Sequence, residues 1–138
     1  MYKHIETDLA AVGLHDRRAT HVEYADSILA FDFPDGFFIL TGDEPYRSGP
    51  ARMECHILDG DFYVSLFTEK PHGLALREDF TDRFADALNK DGLEYEFVTM
   101  YMGYERLLFK GYLWSKKRPY HKECEIEIRT DGVKYFWN

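Results

Sequence analysis

The chain has 138 residues, a formal net charge of −8 and an aromatic content of 17%, a combination typical of one domain whose core is built largely from aromatic rings. The negative charge argues against direct nucleic-acid binding, because such binding depends on Lys and Arg that neutralise phosphates. No apolar run approaches the roughly 18 residues needed to span a bilayer, so we expect no membrane segment.

The first half of the chain is predicted to form strands joined by turns. A short helix is expected over residues 7–12, with Thr7 as its N-cap and Gly13 as its end. Alternation of apolar and polar residues then predicts five strands, over residues 17–24, 28–33, 37–41, 52–58 and 62–68. Residues 42–50 contain two Gly and two Pro, which predicts a loop.

Four Asp-Gly steps punctuate the sequence, and this dipeptide favours the positive φ angles of tight turns. Three of the steps lie between alternating segments and are predicted to turn hairpins, at Asp35-Gly36, Asp59-Gly60 and Asp131-Gly132. The fourth step, Asp91-Gly92, follows a helical pattern and is predicted to end a helix.

One amphipathic helix interrupts the strands. Phe80, Phe84 and Leu88 recur at helical spacing, and Asp79 is placed to cap the first turn. Four strands are predicted after the helix, over residues 93–101, 105–113, 122–129 and 133–137. We therefore expect one α+β domain over residues 1–138, with a mostly antiparallel curved sheet of meander hairpins and one amphipathic helix packed on one face.

The two cysteines are predicted to be core residues rather than metal ligands. Cys55 and Cys124 alternate with aliphatic neighbours along their strands, which places His56 and His121 on the opposite face. Zinc needs four converging ligands, so we expect no metal site. Two cysteines are also too few for a disulfide framework, and the chain starts without a basic segment followed by an apolar run. We therefore expect a cytoplasmic protein.

The sharpest electrostatic feature is a ladder of three carboxylates, Glu123, Glu125 and Glu127, on one face of a predicted strand. They repel one another unless positive groups lie alongside. If the strand over residues 105–113 pairs with this one, Arg106 and Lys110 supply that charge, and each cross-strand pair contributes roughly 0.2–1 kcal/mol.

Further acidic and aromatic residues are predicted on the same face, with Glu96 close to Lys110. An acidic surface with aromatic side chains beside it is typical of a protein-binding patch, and the alternative is an ordinary solvated face. The candidate partner-binding residues are Glu94, Glu96, Tyr112, Trp114, Glu123, Glu125 and Glu127.

Common enzyme signatures are absent from the sequence. No serine lies in a Gly-x-Ser-x-Gly turn, and no Gly-rich phosphate loop or His-Glu-x-x-His motif occurs. His15 and Asp16 are adjacent, and adjacent side chains rarely converge on one substrate, so a surface turn with local ion pairs is expected there. The favoured interpretation is a non-enzymatic protein without a cofactor.

An alternative function remains open, that of a small-ligand-binding or enzymatic domain with a pocket between sheet and helix. Distant strands would supply the polar and aromatic groups of such a pocket. The candidates are Tyr63, Tyr95, Tyr101, His21 and Asp32.

The segment from Leu14 to Leu40 opens on Leu-His-Asp and continues as alternating strands joined by short turns. In this it resembles small uncharacterised bacterial β-rich domains, some of which are grouped with toxin-immunity proteins. The resemblance covers about a fifth of the chain, implies a binding protein and transfers no functional residue. With the negative charge, it favours an immunity-like or inhibitory domain that presents an acidic and aromatic sheet surface to a basic partner protein. A second copy is another candidate partner, through an exposed edge of the terminal strand over residues 133–137.

Overall fold

The computed structural model describes residues 1–138 and contains twelve strands and one α-helix. The elements are β1 (His4–Glu6), β2 (Val12–Gly13), β3 (Arg17–Ala19), β4 (His21–Ala25), β5 (Ile28–Phe33), β6 (Phe38–Ile39), β7 (Tyr46–Arg47), β8 (Ala51–Glu69), β9 (Ala75–Asp79), α1 (Thr81–Asn89), β10 (Glu94–Gly103), β11 (Arg106–Trp114) and β12 (His121–Trp137). No helix is long and apolar enough to cross a membrane.

Nine strands form one antiparallel, curved half-barrel sheet in the order β3-β10-β11-β12-β8-β5-β4, with β1 added to β12 and β9 added to β8. The strands β3 and β4 follow each other almost directly in the chain yet lie at the two ends of this order. The sheet therefore curves back towards itself around the core. A second small sheet, in the order β2-β6-β7, includes two residues of the predicted loop, Tyr46–Arg47.

None of the three Asp-Gly steps predicted to turn hairpins does so. The Asp35-Gly36 step leads from β5 in the large sheet to β6 in the small sheet, and these two strands do not pair. The Asp59-Gly60 step lies inside β8 and the Asp131-Gly132 step lies inside β12, so the four strands predicted around them merge into two long ones. Register shifts occur in the pairing of β12 with β8 between Ile128 and Gly132. The residues Asp59 and Gly60 have φ angles of 54° and 63°, and here these angles form a bulge that bends a continuous strand.

The predicted helix over residues 7–12 is also shorter than expected. Only a single 3-10 turn forms, over Leu9–Ala11, and its capping side chain is that of Asp8, which accepts from the amide of Ala10 at 3.0 Å. Six residues are too few to nucleate a stable α-helix without extensive packing.

The α-helix matches its prediction closely. Asp79 accepts from the amide and the hydroxyl of Thr81, at 3.0 and 2.7 Å, but the N-cap residue is Phe80, so Asp79 lies one residue before its predicted N-cap position. Gly92 follows the helix with a φ of 72°. At the C-terminal end, the side-chain amide of Asn89 accepts from the Val22 N–H and donates to the Val22 carbonyl, at 3.0 and 2.6 Å, which docks the helix on the outer edge of β4.

The core lies between the helix and the concave side of the sheet. Its largest fully buried side chains are mostly aromatic, namely Tyr95, Tyr135, Phe31, Phe33, Phe37, Phe97 and Phe109. Cys55 and Cys124 are fully buried, which confirms their predicted core position. Burial raises the pKa of Cys55 to about 12, and burial raises the pKa of Cys124 as well.

One buried tyrosine ties three strands together. Tyr95 on β10 reaches across β11, and its hydroxyl donates to the Cys124 carbonyl on β12 at 2.9 Å. The residue beneath it on β11 is Gly111, which pairs with Cys124 and Phe97. A side chain at Gly111 would clash with the Glu96 carbonyl and crowd the Tyr95 hydroxyl. Only glycine therefore fits at this position without a shift of its neighbours.

Candidate functional site

The seven predicted partner-binding residues share the side of the sheet that faces away from the core. The structure places Glu94 and Glu96 on β10, Tyr112 and Trp114 on β11, and the three remaining glutamates on β12. Cross-strand pairing joins Glu96 to Tyr112 and Tyr112 to Glu123, and it also joins Glu94 to Trp114. We call this surface, defined by Glu94, Glu96, Tyr112, Trp114, Glu123, Glu125 and Glu127, the acidic face.

Three of the five carboxylates of the acidic face have polar partners within it or at its border. Glu125 lies opposite Lys110 on β11, with 3.6 Å between their charged atoms. Glu96 accepts a hydrogen bond from the Trp114 indole at 2.7 Å. Glu94 forms an ion pair with Arg18 at 3.3 Å. These contacts hold the β10 and β11 part of the face in a defined arrangement.

The other two carboxylates, Glu123 and Glu127, are exposed and form no ion pair. Glu127 lies between Leu108 on β11 and Tyr63 on β8, neither of which carries a charge. Glu123 lies beside Tyr112. The two carboxylates of the acidic face that lack any polar partner therefore both lie on β12, next to aromatic rings.

Two residues of this surface are missing from the sequence-based prediction. Arg18 on β3 lies with its guanidinium 4.5 Å from the centre of the Trp114 ring, a cation–π distance. His121 packs against the same indole at 4.8 Å between ring centres and against Tyr112 at 5.2 Å. The pairing of β3 with β10 joins segments almost 80 positions apart in sequence, so alternation along the chain gives no signal for Arg18.

Two predicted charge contacts are wrong. Arg106 lies opposite Arg129 and pairs with Asp61 at 3.0 Å, at the bend of the sheet and away from the glutamate ladder. Glu96 is not opposite Lys110, because the chain turns at Tyr104 and Glu105, after Gly103 rather than around it, and this register places Thr99 opposite Lys110.

Shallow depressions border the acidic face on both sides of Glu123. One, with a volume of about 200 Å³, is lined by Lys110, Tyr112 and Glu125. The other, of about 590 Å³, extends towards β9 and is lined by Phe67, His121 and Pro119. Glu123 and Tyr112 line both depressions, so a convex partner side chain has room on either side of this carboxylate.

A second polar cluster, on the β4 to β8 part of the sheet, contrasts with the acidic face because all three of its carboxylates contact the same guanidinium. Arg52 contacts Glu23, Asp32 and Glu54 at 2.6, 3.0 and 2.9 Å. Its hydrogen bond lowers the pKa of Glu23. Although burial opposes the charged form, the three carboxylates raise the pKa of Arg52. His21 contacts Asp32 at 3.1 Å in the same cluster.

The five residues predicted for a pocket between sheet and helix do not converge on one site. Tyr95 is a core residue, Tyr63 and Tyr101 lie on the outer side of the sheet, and His21 and Asp32 belong to the Arg52 cluster. The space under the helix is filled by Phe84, which packs against Tyr95 and Phe31 at ring-centre distances of 5.8 and 6.5 Å.

Two histidine–aspartate pairs lie at the surface. His15 and Asp16 approach to 3.2 Å in an exposed turn, as predicted, and the ring of His15 also contacts the Val98 carbonyl at 2.9 Å. His56 and Asp131 approach to 2.7 Å beside a cavity of about 530 Å³ at the bend of the sheet. The hydrogen bond from His56 lowers the pKa of Asp131.

Comparison with known proteins adds no assignment: no protein-family model matches the chain, and neither the curated proteins nor the solved structures contain a significant match.

Proposed function

We propose that the chain is a non-enzymatic protein-binding domain that holds a basic partner protein on its acidic face. Inhibition of a basic toxin, as by an immunity protein, is the most concrete form of this function. The observation that carries the proposal is the pair of exposed glutamates without ion pairs, Glu123 and Glu127, set beside the partly exposed rings of Tyr112 and Trp114.

Charge supports a basic partner. The protein carries a formal charge of −8, and complementary charge raises association rates and selects against acidic competitors. Two carboxylates without ion pairs can bind a partner's Lys or Arg without breaking a contact inside the protein. The carboxylates of the Arg52 cluster differ in this respect, because each of them already contacts the Arg52 guanidinium.

The aromatic residues of the acidic face also support binding of a partner protein. Tyr, Trp and Arg dominate the residues that contribute most to protein–protein affinity, and Trp114 here is held by Arg18, Glu96 and His121. A side chain that is already fixed loses little conformational entropy when a partner binds. Tyr101 and Tyr63 extend this aromatic surface beyond the acidic face and are 53% and 36% exposed.

The test is capture of a basic partner by the purified protein from a lysate of the native organism, followed by mass spectrometry and reconstitution with the purified partner. Replacing Glu123, Glu125 and Glu127 together by Lys is expected to weaken binding of the reconstituted partner by at least about 100-fold, since charge pairs at interfaces carry several kcal/mol when reversed.

A matched control reverses three exposed carboxylates elsewhere, Asp43, Glu44 and Asp91. This variant changes the net charge by the same amount but leaves the acidic face intact, so we expect it to bind within a few-fold of wild type. Equal losses in both triple variants would indicate a general charge effect, and unchanged binding in the Glu123, Glu125 and Glu127 variant would reject the acidic face.

A second candidate function is binding of a small ligand, and the cavity beside His56 and Asp131 favours it. A ligand selective for the native state raises the unfolding temperature, so a metabolite library measured by thermal shift tests this alternative. The expected signature is stabilisation of wild type that His56→Ala abolishes, and a library without any such compound would count against this function.

A further inference from the structure

We propose that two copies of this chain associate through strand β9, which pairs antiparallel with its counterpart around a two-fold axis at Leu76. This dimer uses a different surface from the acidic face and does not depend on the function proposed above. The free edge of the sheet, the main-chain groups that point outward from it and the register that they allow all favour this dimer.

The strand β9 is a sheet edge that remains open along its whole length. The prediction that residues 133–137 form an exposed strand edge is wrong, because this part of β12 lies between β8 and β1. The outer edge of β4 is occupied by the side chain of Asn89, and β1 contains only three residues. By contrast, Ala75–Asp79 pairs with β8 on one side and with nothing on the other.

The hydrogen bonds at the two ends of β9 show which of its residues direct their main-chain groups towards β8. The Phe80 N–H donates to the Val64 carbonyl at 2.8 Å, and the Lys70 N–H donates to the Leu74 carbonyl at 2.6 Å. Since main-chain groups alternate in direction along an antiparallel strand, the even-numbered residues 74–80 face β8. The N–H and C=O groups of Ala75 and Arg77 therefore point away from the sheet and lack a strand partner.

An apolar strip follows the same edge. Leu74 and Leu76 are 71% and 52% exposed, and they lie on the side of the sheet that carries the buried Leu66. They continue the core side of the sheet along its β9 edge, where no other element of the chain covers them. Unpaired main-chain groups next to exposed leucines are the features by which strand edges associate.

Of the possible two-fold registers, one pairs the outward main-chain groups of the two copies and also brings their exposed leucines together. With the axis at Leu76, Ala75 of each copy pairs with Arg77 of the other, which forms four main-chain hydrogen bonds and sets the two Leu76 side chains directly opposite. Leu74 then lies diagonal to Leu76 of the second copy, within reach of contact.

The neighbouring registers are disfavoured. With the axis at Arg77, two guanidiniums lie opposite each other, and the outward carbonyl of Asp79 is needed although it already accepts from Arg83 at 3.1 Å. With the axis at Ala75, Arg77 must pair with Gly73, which lies outside the strand with a φ of 78°. The axis at Leu76 avoids both conflicts.

The first test is disulfide trapping of two single-cysteine variants. In the proposed register, Leu76→Cys places two thiols on residues about 4.5 Å apart between Cα atoms, within the range of a disulfide. Glu78→Cys lies opposite Leu74 of the second copy, so its thiols are far apart. The native cysteines do not interfere, because Cys55 and Cys124 are buried. Under mild oxidation we expect most of the Leu76→Cys protein, and little of the Glu78→Cys protein, to become covalent dimer.

The second test is sedimentation velocity over a range of concentrations. Arg77→Pro removes an outward N–H without removing a bond to β8, and is expected to raise the dimer dissociation constant at least about tenfold. Arg77→Ala retains the N–H and controls for the lost contact of the guanidinium with Ser65, so it should dimerise like wild type.

Two results would overturn the proposal. One is a folded wild-type protein that sediments as a monomer up to about 100 µM, which would place any dimer dissociation constant well above that concentration. The other is trapping of Glu78→Cys in preference to Leu76→Cys, which would exclude the register with its axis at Leu76.

Discussion

Gly111 offers a sharp test of how the acidic face is held on the core, because a single methyl group there meets fixed atoms. The φ of Gly111 is not positive, so alanine is compatible with its backbone angles and the conflict is one of space. A Cβ would overlap the Glu96 carbonyl and lie 3.0 Å from the Tyr95 hydroxyl. The carbonyl belongs to a paired strand, and the hydroxyl bonds to the Cys124 carbonyl. Neither the carbonyl nor the hydroxyl can move away from the added methyl group without breaking its own contacts.

We therefore expect Gly111→Ala to lower the free energy of unfolding by on the order of 3 kcal/mol, at the upper end of overpacking costs. For a chain of this size, that corresponds to a fall in Tm of about 10 °C. The assay is thermal and urea unfolding followed by circular dichroism. Gly132→Ala is the matched control, since a Cβ at Gly132 meets nothing within 4 Å and its φ is not positive. A Gly111→Ala protein as stable as the control would refute the packing of Tyr95 across β11.

Three further predictions concern the core and the Arg52 cluster. Native Cys55 and Cys124 should resist iodoacetamide at pH 8 and react only after unfolding, because both are buried and burial raises the pKa of each thiol; stoichiometric labelling of native protein, read by mass spectrometry, would contradict their placement. Tyr95→Phe should lower the free energy of unfolding by about 1 kcal/mol through loss of the bond to Cys124, and an unchanged urea midpoint would show that this bond contributes nothing. Glu23→Gln should lower the urea midpoint at pH 7, where the charged carboxylate binds Arg52. The pKa of Glu23 is lower in the folded state than its ordinary 4.5, so the stability it contributes is complete above pH 4.5 and is lost as the pH falls through the folded value. The wild-type and Glu23→Gln midpoints should therefore converge in acid, and a difference that persists there would exclude the ion pair as its cause.

Local patterns in the sequence predict the parts of the fold that depend on neighbours in the chain. Alternation along the strand that contains Cys124 separates it from Glu123 and Glu125, and the structure places them on opposite sides of the sheet. Helical spacing of Phe84 and Leu88 similarly identifies the buried side of the helix. In both cases the periodicity of side-chain direction is a property of the backbone itself.

The remaining parts depend on pairings that the local pattern does not encode. Asp59-Gly60 has the same composition as a hairpin turn, but the long pairing of β8 with β12 continues past it, so the same positive φ angles bend the strand instead of reversing it. The cation over Trp114 is Arg18, which reaches the indole only because β3 pairs with β10. The position of the turn, after Gly103 rather than around it, likewise separates Glu96 from Lys110.

The measurement that most directly tests the acidic face is carboxyl footprinting of the complex with the reconstituted basic partner. Carbodiimide-activated labelling read by mass spectrometry reports each exposed carboxylate separately. We expect Glu123 and Glu127 to lose most of their labelling when the partner binds, while Asp43, Glu44 and Asp91 label as in the free protein. Unchanged labelling of Glu123 and Glu127 in a saturated complex would contradict the proposal that this surface binds the partner.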